Sequence, residues 1–366
     1  MDEELDMTFS DIYQGKKVLL TGHTGFKGSW LAFWLQRLGA DVCGYSLPAP
    51  TEPSHWSLLN LDIRSEIADI RDVQRLENVF CGFQPEVVFH LAAQPLVRAS
   101  YRDPIETYST NVMGTLNVLE MCRKTESVRA VVNVTSDKCY ENREWKRGYC
   151  EDDPMGGHDP YSSSKGCSEL LTASYRKSFF NNAMFGKTHH VLLASCRAGN
   201  VVGGGDWAED RLIPDIMRAT ADGKPVEIRN PSATRPWQHV LEALSGYLLV
   251  GQRLLENKPQ YAEGWNFGPA EESDFPVSKV VENTKRYWDR IDYRLVQTAG
   301  APQEAALLKL NCTKAREQLG WTSAWDNATT FKRTIDWYRE YYENGTVRTD
   351  SDLIAYVDGS RCGNEK

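Results

Sequence analysis

Nine cysteines are scattered through 366 residues and none forms a Cys-x-x-Cys pair. The sequence therefore lacks the spacing of a structural zinc site and of a disulfide framework, and reduced thiols in a cytoplasmic protein with no metal centre are expected. No apolar run approaches the ~18 residues needed to span a bilayer. The acidic start, Met1-Asp2-Glu3-Glu4-Leu5-Asp6, lacks the basic-then-apolar order of a secretory leader. Positive charge is also in deficit: the formal net charge is -8. That disfavours generic binding to nucleic acid or to an anionic membrane, while leaving room for a local basic pocket. Internal repeats and low-complexity tracts are absent too. What remains is 41% hydrophobic and 25% charged, an ordinary globular composition. The length suits two domains, or one large domain with an elaboration.

Against this background three segments carry chemistry. The apolar run Val18-Leu19-Leu20 leads into Thr21-Gly22-His23-Thr24-Gly25-Phe26-Lys27-Gly28, and a helical pattern, Ser29-Trp30-Leu31-Ala32-Phe33-Trp34-Leu35, follows. Strand, glycine turn and helix in this order make a dinucleotide site. Glycines let the backbone approach a pyrophosphate, and the helix N-terminus offers it free N–H groups. The spacing is Gly-x-x-Gly-x-x-Gly instead of Gly-x-Gly-x-x-Gly, and a glycine turn that merely packs strand on helix is the plainer alternative.

A second apolar strand, Val131-Val132-Asn133-Val134, runs into Thr135-Ser136-Asp137-Lys138. Ligands of open α/β sheets bind at the carboxyl ends of strands. Ser136 is thereby positioned to bond a reacting hydroxyl, with Asp137 as an acid and Lys138 as a base beside it. An ordinary strand exit with solvated charges is the alternative. The third segment is Tyr161-Ser162-Ser163-Ser164-Lys165. Residues four apart on a helix share a face. An ammonium at Lys165 would favour phenolate at Tyr161, letting the phenol ionise below its usual pKa of about 10. Alone, this pattern is common by chance.

From Lys17 the chain alternates strand and helix patterns. Strands are expected at Val18–Thr21, Asp41–Tyr45, Glu66–Ala68, Val87–Leu91, Ala130–Val134 and His190–Cys196. Helices are expected at Gly28–Leu38, Asp72–Phe80, Ile105–Lys124, Tyr161–Ser178 and about Trp237–Leu255. Alternating βαβ units imply a parallel, doubly wound α/β sheet. Strands as apolar as Val87-Val88-Phe89 suit a sheet covered on both faces.

The three segments, in this order, resemble the extended short-chain dehydrogenase/reductase family, whose members act mostly on nucleotide sugars. The resemblance runs from about Gly15 to about Tyr342. Leu91-Ala92-Ala93-Gln94-Pro95-Leu96-Val97-Arg98, Thr135-Ser136-Asp137-Lys138-Cys139-Tyr140, Arg197-Ala198-Gly199-Asn200 with its continuation to Trp207, and Arg235-Pro236-Trp237-Gln238-His239-Val240 are similar to the 4,6-dehydratases within it.

That resemblance implies a doubly wound parallel Rossmann sheet with a smaller C-terminal substrate-binding domain. The dinucleotide domain would comprise 15–200 plus about 236–260, and the nucleotide-sugar domain about 201–235 plus 261–345. Residues 1–14 and 346–366 would be peripheral tails. The implied cofactor is NAD, held by Gly22, His23, Thr24, Gly25, Phe26, Lys27 and Gly28, by Asp69 and Ile70 at the adenine, by Leu91, Ala92, Ala93 and Asn111, and by Tyr161 and Lys165. Asp69 could equally be a turn residue beside Arg71.

The implied substrate is CDP-glucose or a related nucleotide sugar, with Asn200, Arg211 and Arg235 on its diphosphate and Gln94 at the hexose; a surface ion pair is the plainer reading of either arginine. The implied reaction oxidises C4, eliminates water across C5 and C6, and returns hydride to C6. Tyr161 would be the C4 base, assisted by Lys165 and Ser136, and Asp137 the acid at the C6 hydroxyl. A homodimer or homotetramer would form through a bundle of Ile105–Lys124 and Tyr161–Ser178, although Leu116, Leu119 and Leu170 could equally be intrachain core. The product would feed dideoxy sugars of bacterial surface polysaccharide, the lipopolysaccharide O-antigen.

Two positions depart from the family pattern. The end of the second strand, Cys43-Gly44-Tyr45-Ser46-Leu47, has no acid for the ribose hydroxyls and no adjacent arginine for a 2′-phosphate. Many 4,6-dehydratases have Asp-Glu where this chain has Asp137-Lys138. Lys138 is then either the C5 base, if neutral, or a charged stabiliser of the enolate. A 4-epimerase would share the turn and Tyr161/Lys165 yet have no use for ionisable groups after Ser136. A dehydratase of another nucleotide sugar and a catalytically silent dinucleotide sensor are the other competing readings.

Overall fold

Seven short segments lie side by side, six of them apolar enough to be covered on both faces and one edge strand largely exposed. They are β1 (Lys17–Thr21), β2 (Asp41–Ser46), β3 (Arg64–Ile67), β4 (Val87–His90), β5 (Ala130–Val134), β6 (Leu192–Ala198) and β7 (Gly264–Phe267). The computed structural model describes residues 9, 11–228, 231, 234–269, 274–296 and 308–364. The sheet order is β7-β6-β5-β4-β1-β2-β3, and all its pairings are parallel. The doubly wound sheet expected from the sequence is therefore present.

Period-two alternation splits the core. Val18 and Leu20 face one hydrophobic cluster with α1 (Phe26–Arg37) and α6 (Val240–Leu255). Leu19 faces the other cluster, with residues of α2 (Val73–Phe83), α3 (Gly114–Lys124) and α4 (Pro160–Ser178). The chain reverses its winding between β1 and β4, where Thr21 pairs with His90. That switch point is where such sheets open a crevice.

Local chemistry sets where these helices begin. Asp72 caps α2 by accepting from the Arg75 amide at 3.0 Å. Asp159 caps α4 by accepting from the Ser162 amide at 2.9 Å, with Pro160 in the first turn. Three short ladders form the remaining part of the molecule: Val201–Val202 with Gln238–His239, Thr234–Pro236 with Asp274–Pro276, and Val226–Ile228 with Tyr293–Leu295. They lie among α5 (Leu212–Ala221), the helix Val277–Lys285 and α7 (Asn327–Asn344), and α8 (Thr349–Asn364) follows.

Several expectations are corrected. The helix expected from Trp237 starts at Val240, because Gln238 and His239 pair with Val201 and Val202, and the His239 ring then caps the helix. The expected Ile105–Lys124 helix starts at Pro104 and widens into a π turn over Ser109–Met113. β7 lies in the stretch 261–345 given to the second domain, yet it completes the large sheet by pairing with β6.

Part of the expected tail 346–366 packs into the core. Its helix α8 buries Leu353, Tyr356 and Val357, spaced three and four residues apart as one helical stripe. Each such burial contributes roughly 1.5–3 kcal/mol. In the lead-in, residues 1–8 and 10 lie outside the described residues, but Phe9 and Tyr13 are buried, and the Tyr13 hydroxyl donates to the Leu248 carbonyl at 2.6 Å.

Candidate active site

The glycine turn sits at the switch point. Gly22 has φ +78°, and a Cβ there would lie 2.8 Å from the Ala92 nitrogen, so only glycine lets β1 approach the segment after β4. A Cβ on Gly28 would lie 2.0 Å from the Gly22 carbonyl oxygen. Gly25 differs: its nearest neighbour would be 3.4 Å away, so packing does not demand glycine there. Gly25 is also the N-cap of α1, no side chain caps that end, and the first turn has no acid. The first-turn amides are thus available to an anion, at a glycine that a Cβ would not crowd.

The other residues of the turn anchor it. Thr21 Oγ1 accepts from the Leu91 and Ala92 amides, each at 3.1 Å. Thr24 Oγ1 donates to the Leu47 carbonyl at 2.8 Å. His23 is buried at 2.7 Å from the Ser65 hydroxyl, and burial pushes it down to about 4, keeping it neutral. Phe26 is half-buried against Gly203. Lys27 reaches further than its neighbours: its Nζ lies 3.4 Å from the Tyr247 hydroxyl, and its ammonium interacts with Arg211, Asp137 and Lys165. Burial and those cations lower it to about 8.

The carboxyl end of β5 delivers Ser136 and Asp137, both buried, and the half-buried Lys138. The Ser136 hydroxyl donates to Asp137 Oδ1 at 2.8 Å. The Asp137 carboxylate lies against Gly199, where a Cβ would be 2.0 Å from Oδ2, so that glycine makes room for it. Among the described residues no hydrogen bond or ion pair engages the Lys138 ammonium.

Tyr161, 8% exposed, has the Ser136 hydroxyl as a neighbour that favours its phenolate. Burial raises its phenol to about 12, against Ser136 and the Arg211 charge. Lys165 was expected to supply that charge. Its Nζ turns instead to the Val134 carbonyl, 3.5 Å away, and its ammonium is supported by Glu169 and Cys139. Burial nevertheless holds Lys165 down at about 8.

The other candidates divide. Arg211 joins the cluster around Tyr161, ion-paired to the buried Asp206 at 2.8 Å. Asn200 stands after β6 in a left-handed conformation, φ +47°, and Arg235 lies on the short strand Thr234–Pro236, its Nη1 donating to the Thr234 carbonyl. Gln94 and Asn111 are hydrogen-bonded to each other and to the loop around them. Gln94 donates to the Thr107 hydroxyl at 2.8 Å and accepts from the Leu96 amide at 2.6 Å. Asn111 holds both the amide and the carbonyl of Gln94. Both shape the loop that follows Leu91, Ala92 and Ala93. Asp69 is gripped by Arg71 through two side-chain bonds, which hold its carboxyl below the usual range, and Ile70 packs on Gly114.

A further buried pair was missed by the sequence reading. Glu169 and Arg197 meet through Oε2 and Nη2 at 2.9 Å and through Oε1 and Nε at 2.9 Å, both residues about 95% buried or more. Arg197 also donates to the Tyr140 hydroxyl at 2.6 Å, and Tyr140 donates to Asn266 on β7 at 2.8 Å. Burial pushes the Glu169 carboxyl up, but the Arg197 charge and the bonds from Arg197, Thr135 and Ser195 outweigh it and hold it at about 2. Removing one partner of such a pair costs about 3–5 kcal/mol.

Residues 19–334 match the family described as GDP-mannose 4,6 dehydratase, and the chain belongs to that family, within the extended short-chain dehydrogenase/reductases. Over 337 residues it is 53% identical to a CDP-glucose 4,6-dehydratase of Salmonella typhimurium, covering 92% of this chain and 94% of that protein. Among solved structures, an epimerase from Methanothermobacter thermautotrophicus superposes with a TM-score of 0.79 at 24% identity, over 92% of this chain and 96% of the other. A dTDP-glucose 4,6-dehydratase from Bacillus anthracis in complex with NAD gives 0.73 at 21% identity, over 89% and 97%.

Proposed function

We infer that this chain is an NAD-dependent nucleotide-sugar 4,6-dehydratase, a hydro-lyase, that converts CDP-glucose to CDP-4-keto-6-deoxyglucose. The observation that carries this reading is the 53% identity to the Salmonella CDP-glucose 4,6-dehydratase across 92% of the chain. NAD suits the open glycine and uncapped helix end at Gly25, with Gly22 to Gly28 on its pyrophosphate, Asp69 and Ile70 toward its adenine, and Ala92, Ala93 and Lys165 along its length. When bound, NAD supplies the reversible two-electron chemistry of the cycle.

The chain's own residues then handle protons. Tyr161 takes the proton of the C4 hydroxyl while Ser136 holds the same oxygen; the effect of Ser136 on the Tyr161 phenol supports that pairing. The ketone so formed acidifies the C5 proton. Lys138 takes that proton, and Asp137 delivers a proton to the departing C6 hydroxyl. Arg211, Asn200 and Arg235 hold the diphosphate, the arginines through their planar forks. A 4-epimerase would need neither Asp137 nor Lys138.

We also assign residues 201–235 and most of 268–345 to nucleotide-sugar binding and the remainder of the described fold to the dinucleotide. A homodimer is assigned to the face of the Pro104–Lys124 and α4 helices: Ile105, Met113 and Leu170 are exposed there, whereas Leu119 is core. No helix among the described residues is long and apolar enough to cross a membrane, and the described cysteines are free thiols. Both fit a cytoplasmic biosynthetic enzyme.

The test is incubation with CDP-, UDP-, GDP- and dTDP-glucose. The expected result is a base-sensitive ultraviolet absorbance from a 4-keto-6-deoxy sugar, strongest with CDP-glucose. Interconversion of glucose and galactose without a keto product would overturn the reading.

A further inference from the structure

Tyr161, Lys165 and Glu169 follow one another at four-residue intervals along α4, so all three side chains share one face, and all three are buried. The reaction above uses the first two. Glu169 has no part in it, yet four donors converge on its two oxygens. They are the Thr135 hydroxyl at 2.5 Å, the Ser195 hydroxyl at 2.7 Å, and Nε and Nη2 of Arg197, each at 2.9 Å. Thr135 directly precedes Ser136, and Ser195 and Arg197 lie on β6. One carboxylate therefore ties the helix carrying Tyr161 to the strand end carrying Ser136 and Asp137.

We propose that Glu169 is a positioning residue that sets Ser136 in register with Tyr161 through Thr135 and keeps the ammonium of Lys165 charged one helical turn away. The groups facing Lys165 come from several elements: Glu169 on its own helix, Cys139 after β5, His90 on β4 and Lys27 on α1. Burial keeps the Cys139 thiol and the His90 ring neutral, and Lys27 is itself a cation. Of these four, only Glu169 brings negative charge. Arg197 and Arg176 lie around Glu169 and balance it. With the carboxylate gone, Lys165 would face uncompensated cations and lose its proton at lower pH.

The turnover arm rests on the dehydratase reading; the titration arm does not. Protein labelled at lysine Nζ is titrated by NMR, as wild type, Glu169→Gln and Glu169→Asp. The expected result is a Lys165 midpoint lowered by about one pH unit or more in the Gln variant and nearly unchanged in the Asp variant. Turnover of CDP-glucose by the Gln variant should fall about tenfold or more at neutral pH, its alkaline limb moving to lower pH, with KM within about twofold. The Asp variant should lose turnover without moving that limb. An unmoved Lys165 midpoint with wild-type turnover in the Gln variant overturns the proposal. Should the Gln variant not fold, the Asp variant decides: reduced turnover with an unmoved limb supports the proposal, and wild-type turnover overturns it. Wild-type protein inert toward every nucleotide sugar would count against the dehydratase reading alone, and the Lys165 midpoints would still decide the role of Glu169.

Discussion

On one side of the site, Ser136, Asp137, Tyr161, Lys165 and Glu169 are each less than a tenth exposed and are linked through short hydrogen bonds and charges. On the other, Arg211 keeps a third of its side chain exposed, and Asn200 and Arg235, proposed to join it on the diphosphate, are half-buried. The contrast matches two tasks. Groups that exchange protons act best when fixed in a dry setting, where each charge counts for more. Groups that grip a diphosphate must admit it and let the product leave.

The comparison can be broken at several points. On the fixed side, Tyr161→Phe should lower turnover about a thousandfold or more, with KM for CDP-glucose nearly unchanged; steady-state kinetics decides it. Lys138 lies outside that fixed group, half-buried and, among the described residues, without a bond to its ammonium, yet Lys138→Met should cost about a hundredfold and abolish exchange of the C5 proton from the 4-keto intermediate. Exchange that survives would make Lys138 an electrostatic stabiliser instead of a base. On the open side, Arg211→Ala should act chiefly on KM, raising it about tenfold, as loss of a charge-assisted phosphate contact predicts. A matching loss of kcat would show that its proximity to Tyr161 matters more.

The turn offers its own contrast. Gly28→Ala should fail to yield folded protein, since its Cβ would collide with the Gly22 carbonyl. Gly25→Ala should fold with an unchanged melting temperature and bind NAD about tenfold more weakly by calorimetry, because only a ligand has a claim on that space.

The smallest effect concerns stability. Burial raises Glu242 to about 7, against bonds from the Trp325 and Ala324 amides and the Tyr356 hydroxyl of α8. A carboxyl whose folded pKa is raised favours the unfolded chain once that chain can ionise. Stability should therefore decline between about pH 4.5 and 7, by an amount on the order of 3 kcal/mol, and level off above. Thermal unfolding of Glu242→Gln should lack that decline.

The same division governs what could be read from the sequence. The glycine turn, Ser136 and the Tyr161/Lys165 pair are local patterns, and a strand or helix register places them without knowledge of the rest. Glu169 and Arg197 meet only because α4 crosses β6; the available signal was the third step of the 161, 165, 169 series on one helix face. Gln94 and Asn111 were expected to face ligands; their side chains also complete the loop after β4, a role that only tertiary contacts reveal. The assistance expected from Lys165 falls in part to Ser136 and Arg211, because the ammonium leans toward Val134 and Glu169. Helix α8 was misread as a tail, although its stripe of Leu353, Tyr356 and Val357 follows helical spacing. β7, Gly264-Trp265-Asn266-Phe267, is too short to announce itself among glycine and proline punctuation.

The central claim is that Tyr161 and the residues at the end of β5 take the C4 hydroxyl proton, with NAD as the oxidant, and then strip the proton from C5. Conversion of CDP-glucose in heavy water tests it most directly. The account predicts a 4-keto-6-deoxy product carrying one solvent deuterium at C5. A product that keeps its original C5 hydrogen, or that lacks the ketone, would contradict it.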